Sequence, residues 1–217
     1  YKRQLVDTAP DLMLAHNHVM RKFGYPTKST EDIRNLVGKG AGALIGRSIW
    51  GQAKKEFSKV LDEKIKDEMV KEFVNFYGKN IVNESTLVTG VKDFLIWCKK
   101  QNISMAVCTN KQEHLSNDLL KKIGIYDFFE YVAGSDTFDY CKPDPRHLTN
   151  VVEILDGDVK KTIMIGDSET DANAAKAAEI PVILLENGYT EKNTTEIYHN
   201  HLIKDFIGIE KIISEYL

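Results

Sequence analysis

The segment Ile163-Met164-Ile165-Gly166-Asp167 constrains the fold of this chain more than any other stretch. Three consecutive apolar residues are typical of a short strand that is covered on both faces. The glycine after them allows a tight turn at the carboxyl end of that strand. Asp167 then lies where open α/β sheets place their ligands, and Asp171 follows four residues later on the same face of a continuing helix. The segment therefore predicts an α/β fold with an acidic site at a strand end.

Two carboxylates at a strand end match the oxygen ligands that Mg²⁺ takes in proteins. The alternative is that Asp167 and Ser168 only cap the helix through Ala172–Ala178, because both residue types are good N-caps. Capping needs one such residue, whereas this segment has two acids beside a buried strand. The pattern favours a metal site with Asp167 and Asp171 as its ligands.

The second half of the chain alternates strands and helices. Four apolar runs predict strands, at Ile103–Cys108, Phe129–Ala133, Ile163–Ile165 and Val182–Leu185. This alternation predicts one parallel, doubly wound sheet. Residues 9–82 have helical periodicity instead and predict an inserted helical unit, which leaves residues 1–8 and 83–217 as the α/β core.

Composition narrows the classes of function. A net charge of −3, with 42% hydrophobic and 28% charged residues, is ordinary for a soluble globular protein and gives no electrostatic case for nucleic acid. No apolar run is long enough to span a membrane, and no signal peptide is recognisable. The three cysteines, Cys98, Cys108 and Cys141, form no CxxC spacing, which predicts free thiols and a cytoplasmic protein. Monomer and homodimer both stay open.

Polar groups follow three of the predicted strands. Thr109 and Asn110 supply a hydroxyl and an amide for an oxyanion, Lys142 supplies a positive charge, and Asp167 supplies a carboxylate. A transferring phosphoryl group requires such a set, because its charge must be neutralised and positioned. Singly, each has a structural explanation, since Thr109 could cap the next helix and Lys142 could be a surface lysine. Their order and spacing favour one shared site.

A glycine-rich stretch, Gly38-Lys39-Gly40, interrupts the helical unit. Its bare amides, together with Lys39, could bind an anionic group of a substrate. A plain helix–helix turn explains the glycines equally well, so both interpretations stay open.

The histidines give weak signals. His16 and His18 are two positions apart on a helix and therefore point away from each other. The other four are scattered along the chain and are expected to be solvated: His114, His147, His199 and His201.

Three motifs resemble the second, third and fourth motifs of the haloacid dehalogenase superfamily: Thr109-Asn110-Lys111, Lys142-Pro143-Asp144-Pro145 and Gly166–Asp171. The segment Leu5–Leu12 resembles the stretch after the first motif in the phosphoglycolate phosphatase branch of that superfamily. The resemblance covers nearly the whole chain. It implies a Rossmann-like core with an inserted helical cap, and an Mg²⁺-dependent phosphatase that cleaves a small phosphorylated metabolite through an aspartyl-phosphate.

The resemblance also implies roles for single residues. Thr109 would bind the phosphoryl group with neighbouring groups such as Asn110, and Lys142 would stabilise the nucleophile and the phosphate charge. Asp167 would ligate Mg²⁺, and Asp171 would support the metal directly or through water. The glycine-rich pattern, rather than the resemblance, predicts that Gly38, Lys39 and Gly40 contribute to the choice of substrate from the cap.

The first motif of the family, Asp-x-Asp-Gly-Thr, does not match the residues before Leu5. Lys2 falls where the acid/base aspartate belongs, and the nucleophilic aspartate falls before Tyr1. A protonated lysine has no acceptor and cannot ligate a cation, so we expect little activity from these residues alone. Two alternatives to a phosphatase stay open: a sugar-phosphate mutase or pyrophosphatase of the same fold, and a non-catalytic relative that binds phosphate or a partner.

Overall fold

The computed structural model describes residues 5–38, 40–56, 63–186, 188 and 193–216. Four helices form the helical unit: α1 (Ala9–Lys22), α2 (Thr30–Arg34), α3 (Ala41–Glu56) and α4 (Glu63–Lys79). α1 begins where the sequence indicates, because Pro10 lies in its first turn and needs no hydrogen-bond partner there. α2 begins at a capping box, in which Ser29 and Asp32 each accept a backbone N–H of the other.

The rest of the described chain forms the α/β unit. Its strands are β1 (Val6–Asp7), β2 (Thr86–Leu87), β3 (Ala106–Cys108), β4 (Tyr131–Ala133), β5 (Met164–Gly166), β6 (Val182–Leu185) and β7 (His201–Ile203). Its helices are α5 (Val91–Lys100), α6 (Glu113–Lys122), α7 (Arg146–Ile154), α8 (Glu169–Ala177) and α9 (Ile209–Ser214). The predicted α/β class is confirmed, and the separate helical unit over residues 9–82 stays a prediction. Two of the four predicted strands, β3 and β4, are shorter than predicted.

The parallel strands form two sheets, so the prediction of one continuous sheet is wrong for the described residues. β3 pairs with β4, and β5, β6 and β7 pair in that order, all in parallel. A cavity of about 1040 Å³ is lined by residues of both β3 and β5. Neighbouring strands must lie about 4.8 Å apart to share hydrogen bonds, and no described pairing joins β3 to β5. The parallel direction of the strands is as predicted.

A short antiparallel pair was not anticipated from the sequence. Val6 pairs with Leu87 and Asp7 with Thr86, so β1 and β2 lie side by side where the chain passes between the two units. Two residues per strand are too few to produce a recognisable alternation of apolar and polar residues.

Both passages of the chain between the units are held by one buried carboxylate. Asp11, in the first turn of α1, accepts hydrogen bonds from the backbone N–H groups of Asn83, Glu84 and Ser85, and from the Ser85 hydroxyl at 2.6 Å. The first connection between the units is thus bound to the second through the Asp11 carboxylate. Hydrogen bonds to a charged acceptor are among the stronger ones in proteins.

A second contact also joins the units. The guanidinium of Arg34 in α2 binds Asp7 of β1 with both of its terminal nitrogens, at 3.0 and 2.9 Å. The main hydrophobic core continues across the same boundary, since Met20 and Tyr77 of the helical unit belong to one cluster with Leu95. Among the described helices, none has the length and apolar character needed to cross a membrane.

Candidate active site

The ends of β3 and β5 are linked by a lysine that is buried between them. The ammonium of Lys142 lies 2.7 Å from Oδ1 of Asp171 and also donates to the backbone oxygen of Cys108, the last residue of β3. Burial alone would lower the pKa of Lys142, but the charge of Asp171 outweighs it and raises that pKa. Lys142 therefore carries a fixed positive charge at the carboxyl edge of both sheets.

Asp171 is held by more than its ion pair. Its Oδ2 accepts the backbone N–H groups of Asp167 and Ser168, at 3.0 and 3.1 Å, and the Ser168 hydroxyl at 2.8 Å. Burial acts to raise the pKa of Asp171, but Lys142 and these donors together hold that pKa below its usual value. The carboxylate is therefore ionised and fixed in one orientation.

Ser168 and Asp171 form a capping box at the start of α8, so the capping interpretation of this segment is correct for Ser168. A side chain at Gly166 would place its Cβ 2.5 Å from the Cβ of Asp171. Only glycine permits this approach, because real Cβ contacts are longer. The Asp171 carboxylate therefore caps α8 and pairs with Lys142 at the same time.

The loop after β3 brings the two units together at the site. The Asn110 amide donates to the backbone oxygen of Lys142 at 2.8 Å and to that of Gly38 at 3.2 Å. The hydroxyl of Thr109 accepts the N–H of Lys111 at 3.1 Å. Thr109 is not the N-cap of the next helix, because Gln112 holds that position. Asn110 thus joins the glycine-rich loop to the lysine-bearing segment.

His147 is a residue that the sequence interpretation misjudged. The prediction that it is solvated is wrong, since His147 is completely buried in the first turn of α7. Its Nδ1 accepts the backbone N–H of Lys142 at 3.2 Å, and its ring meets Phe138 edge-on at 5.7 Å between centroids. Burial, followed by the charge of Lys142, lowers its pKa to about 4, so the ring is neutral at pH 7. The sequence did contain a signal for this burial, because the apolar residues of α7 recur with helical spacing and His147 lies on the same face.

The carboxylates of Asp167 and Asp171 are oxygen donors of the kind that Mg²⁺ takes. Asp167 is a buried carboxylate at the carboxyl end of β5, next to Lys142 and Asp171, and it fits a hard cation as a first ligand. Asp171 already accepts three hydrogen bonds and an ammonium, which suits a supporting position better than direct ligation. Within the described ranges, no cluster of three or more His, Cys, Asp or Glu side chains is placed to hold a metal. The described residues thus offer one carboxylate for the ion and a second to orient it.

Most of the predicted site residues lie along one cavity. It is lined by Thr109, Asn110, Lys142, Asp167, Asp171, Gly38 and Gly40. Lys39 lies outside the described residues. The structure therefore gathers the candidate residues around a common space, and their individual roles stay predictions.

The sequence is similar to a known family and to several known proteins. The sequence model of the family described as haloacid dehalogenase-like hydrolase matches residues 3–185. The chain is 35% identical over 213 residues to a phosphoglycolate phosphatase of Mesorhizobium japonicum, covering 98% of this chain and 92% of that protein. It is 36% identical over 207 residues to a phosphoglycolate phosphatase of Caulobacter vibrioides, with 95% and 85% covered.

A solved structure is also similar to the fold. The crystal structure described as "a predicted phosphoglycolate phosphatase" from Haemophilus somnus superimposes with a TM-score of 0.89 at 29% identity, covering 96% of this chain and 92% of that one. The structure is α/β with parallel strands and several helices, like that of the similar protein. The chain belongs to the haloacid dehalogenase-like hydrolase family, as its motifs indicated.

Proposed function

We propose that the site hydrolyses small phosphomonoesters with Mg²⁺, through an aspartyl-phosphate. The observation that supports this most is the buried Lys142–Asp171 pair, which lies beside Asp167 and shares a cavity with Thr109. Phosphoryl transfer depends on positioning and charge neutralisation, and this set supplies both. The phosphatase names of the relatives support the same reaction class.

Each residue of the site has a distinct task in this proposal. Thr109 offers its hydroxyl to a phosphoryl oxygen, and the ammonium of Lys142 neutralises charge that develops on the phosphoryl group. Asp171 keeps Lys142 charged and in place. Asn110 couples the position of Lys142 to the cap loop at Gly38.

Asp167 would hold the Mg²⁺ ion, and Asp171 would support it through the N–H groups of Asp167 and Ser168 that it binds. When bound, the ion would add positive charge at the phosphoryl oxygens. The acceptor of the phosphoryl group would be an aspartate that the family resemblance aligns before Tyr1. Lys2 aligns with the acid/base residue and cannot take over that role.

The substrate class is taken from two sources. The relatives at 35% and 36% identity are named phosphoglycolate phosphatases, so we propose a short phosphorylated metabolite of that kind. The cap loop at Gly38 and Gly40 faces the same cavity as Thr109, which supports a role for the cap in selecting it. We also propose a cytoplasmic location, in keeping with the three free cysteines.

Two measurements test the function. Calorimetry with orthophosphate, with and without Mg²⁺, should show binding that Lys142→Met weakens at least tenfold. Lys122→Met, on the exposed face of α6, is the matched control and should leave affinity unchanged. Phosphate release from a panel of short phosphomonoesters, by a chain that carries Asp-x-Asp-Gly-Thr before Leu5, should require Mg²⁺. The proposal fails if orthophosphate binding is absent, or if it is indifferent to Lys142.

A further inference from the structure

His147 is a buried titratable group to which the proposed reaction gives no task. It lies in the first turn of α7, completely buried, and its ring meets Phe138 edge-on. A backbone N–H can only donate, so the hydrogen bond of 3.2 Å from the N–H of Lys142 makes Nδ1 the acceptor and leaves the proton on Nε2. Lys142 therefore holds the ring in one tautomer.

The other ring nitrogen gains little from its surroundings. Within the described ranges, no well-formed hydrogen bond reaches Nε2 of His147. Burial lowers the pKa of the ring, and the backbone of Gly134 opposes this only in part. A buried polar group without a good partner costs stability that an apolar side chain would not lose. What the ring offers at this position is the acceptor for Lys142.

Three hydrogen bonds connect His147, Lys142 and Cys108 in a closed cycle. The N–H of Lys142 donates to the ring of His147, and the ammonium of Lys142 donates to the backbone oxygen of Cys108. The thiol of Cys108 completes the cycle, because it donates to the backbone oxygen of His147 at 3.4 Å. Lys142 is thus bound through both its main chain and its ammonium to two residues that also contact each other. Since Cys108 ends β3, the cycle fixes the lysine relative to the strand that leads to Thr109.

We propose that His147 is a positioning residue for the reaction, which fixes the main chain of Lys142 so that the ammonium lies where the phosphoryl group binds. This inference rests on the proposed function, because that function assigns the phosphoryl charge to Lys142. Without the acceptor, the buried N–H of Lys142 would lose its partner and the main chain would shift. A displacement of about 1 Å is enough to weaken catalysis strongly. His147 is not among the described residues that line the cavity, so its effect on a ligand must pass through Lys142.

Three variants of His147 separate positioning from stability. His147→Phe keeps a ring against Phe138 but removes the acceptor. It should weaken the binding of orthophosphate with Mg²⁺ about tenfold in calorimetry, which corresponds to about 1.4 kcal/mol. His147→Leu also removes the acceptor and serves if the first variant does not fold. His147→Asn places an amide oxygen near the position of Nδ1, so it should keep the affinity within about twofold of the parent although it loses the packing of the ring.

His16 provides a matched control in the helical unit. It is as completely buried as His147, and its two ring nitrogens lie 3.0 Å from Asn17 and 2.9 Å from Ser48. It is not among the described residues that line the cavity. His16→Phe should lower the midpoint of urea unfolding, as His147→Phe does, and should leave the affinity for orthophosphate unchanged.

The outcomes distinguish the inference from the function on which it rests. An unchanged affinity in folded His147→Phe or His147→Leu would overturn the inference. A loss in His147→Asn or His16→Phe as large as in His147→Phe would overturn it too, because affinity would then follow stability rather than the acceptor. If the parent binds no orthophosphate, or if Lys142→Met binds it as the parent does, the proposed function has failed and the inference fails with it.

Discussion

Lys142 and Asp171 form an ion pair of 2.7 Å in which the side chains expose only 4% and 5% of their surface. The pair joins the loop before α7 to the first turn of α8, and so it connects the ends of two separate sheets. Few positions in the described chain combine such burial with opposite charges. The consequences of this pair can be measured without a substrate.

Removing one partner should destabilise the fold strongly. Lys142→Met leaves the Asp171 carboxylate buried without its counter-ion, which should lower the free energy of unfolding by about 3–5 kcal/mol. Arg146→Met breaks the exposed pair of Arg146 and Asp144 and should change the free energy of unfolding far less, because water screens that pair. Urea unfolding of both variants checks this. Equal losses would show that burial does not set the strength of the Lys142 pair.

The two aspartates should respond differently to Mg²⁺. Asp167→Asn should weaken Mg²⁺ binding more than Asp171→Asn, because Asp171 already accepts donors from Ser168 and Lys142. Asp171→Asn should instead reduce stability, since it leaves Lys142 without its partner. Calorimetry with Mg²⁺ gives the affinities and thermal melting the stabilities. Asp118→Asn, an exposed position on α6, is the control. Equal affinities in all variants and the parent would refute the ranking.

His147 should make the chain sensitive to acid. Its folded pKa is about 4, below the ordinary value of 6.5, so the unfolded chain binds the proton more readily. Stability from the neutral ring is complete above about pH 6.5 and is lost as pH falls towards 4, by on the order of 3 kcal/mol. His147→Gln keeps an acceptor for the N–H of Lys142 and should remove this part of the pH dependence. Parallel stability curves for parent and variant between pH 7 and 4.5 would contradict it.

Catalytic turnover should depend on what occupies the space between β3 and β5. A polypeptide of residues 1–217 should release phosphate negligibly, because losing a nucleophile typically costs several orders of magnitude in rate. Replacing Tyr1–Gln4 by an apolar strand that ends in Asp-x-Asp-Gly-Thr should give turnover with Mg²⁺. The same replacement with asparagine as the first motif residue is the control. Robust turnover by residues 1–217, abolished by Asp167→Asn, would show that the first motif is misaligned.

Much of this architecture could be predicted because local patterns are strong where the chain is regular. Val182–Leu185 is a continuous apolar run and forms a strand with the predicted bounds. The motif residues Thr109, Lys142 and Asp167 follow strands whose parallel direction brings their ends to one edge, so a common cavity follows from topology. The spacing of apolar residues likewise predicted that α1 and α4 are helices.

Features that depend on tertiary contacts were not accessible from local pattern. The division into two sheets is a matter of spacing between β3 and β5, which no alternation of residues encodes. His147 is buried by its position on α7 rather than by its polarity, and Arg34 finds Asp7 across 27 positions of sequence. The hydrogen bonds of Asp11 connect segments more than 70 residues apart. Such pairings belong to the fold as a whole.

The hydrogen bonds that Asp11 accepts from residues 83–85 restrain the relative movement of the two units. The Asp11 carboxylate binds the second connection between the two units from a position next to the first. The two connections are therefore held together and cannot move independently. We expect a rotation of the helical unit relative to the α/β unit to preserve these hydrogen bonds and to change other contacts between the units, such as that of Asn110 with Gly38. A single carboxylate therefore restrains how far the two units can move apart where the chain connects them.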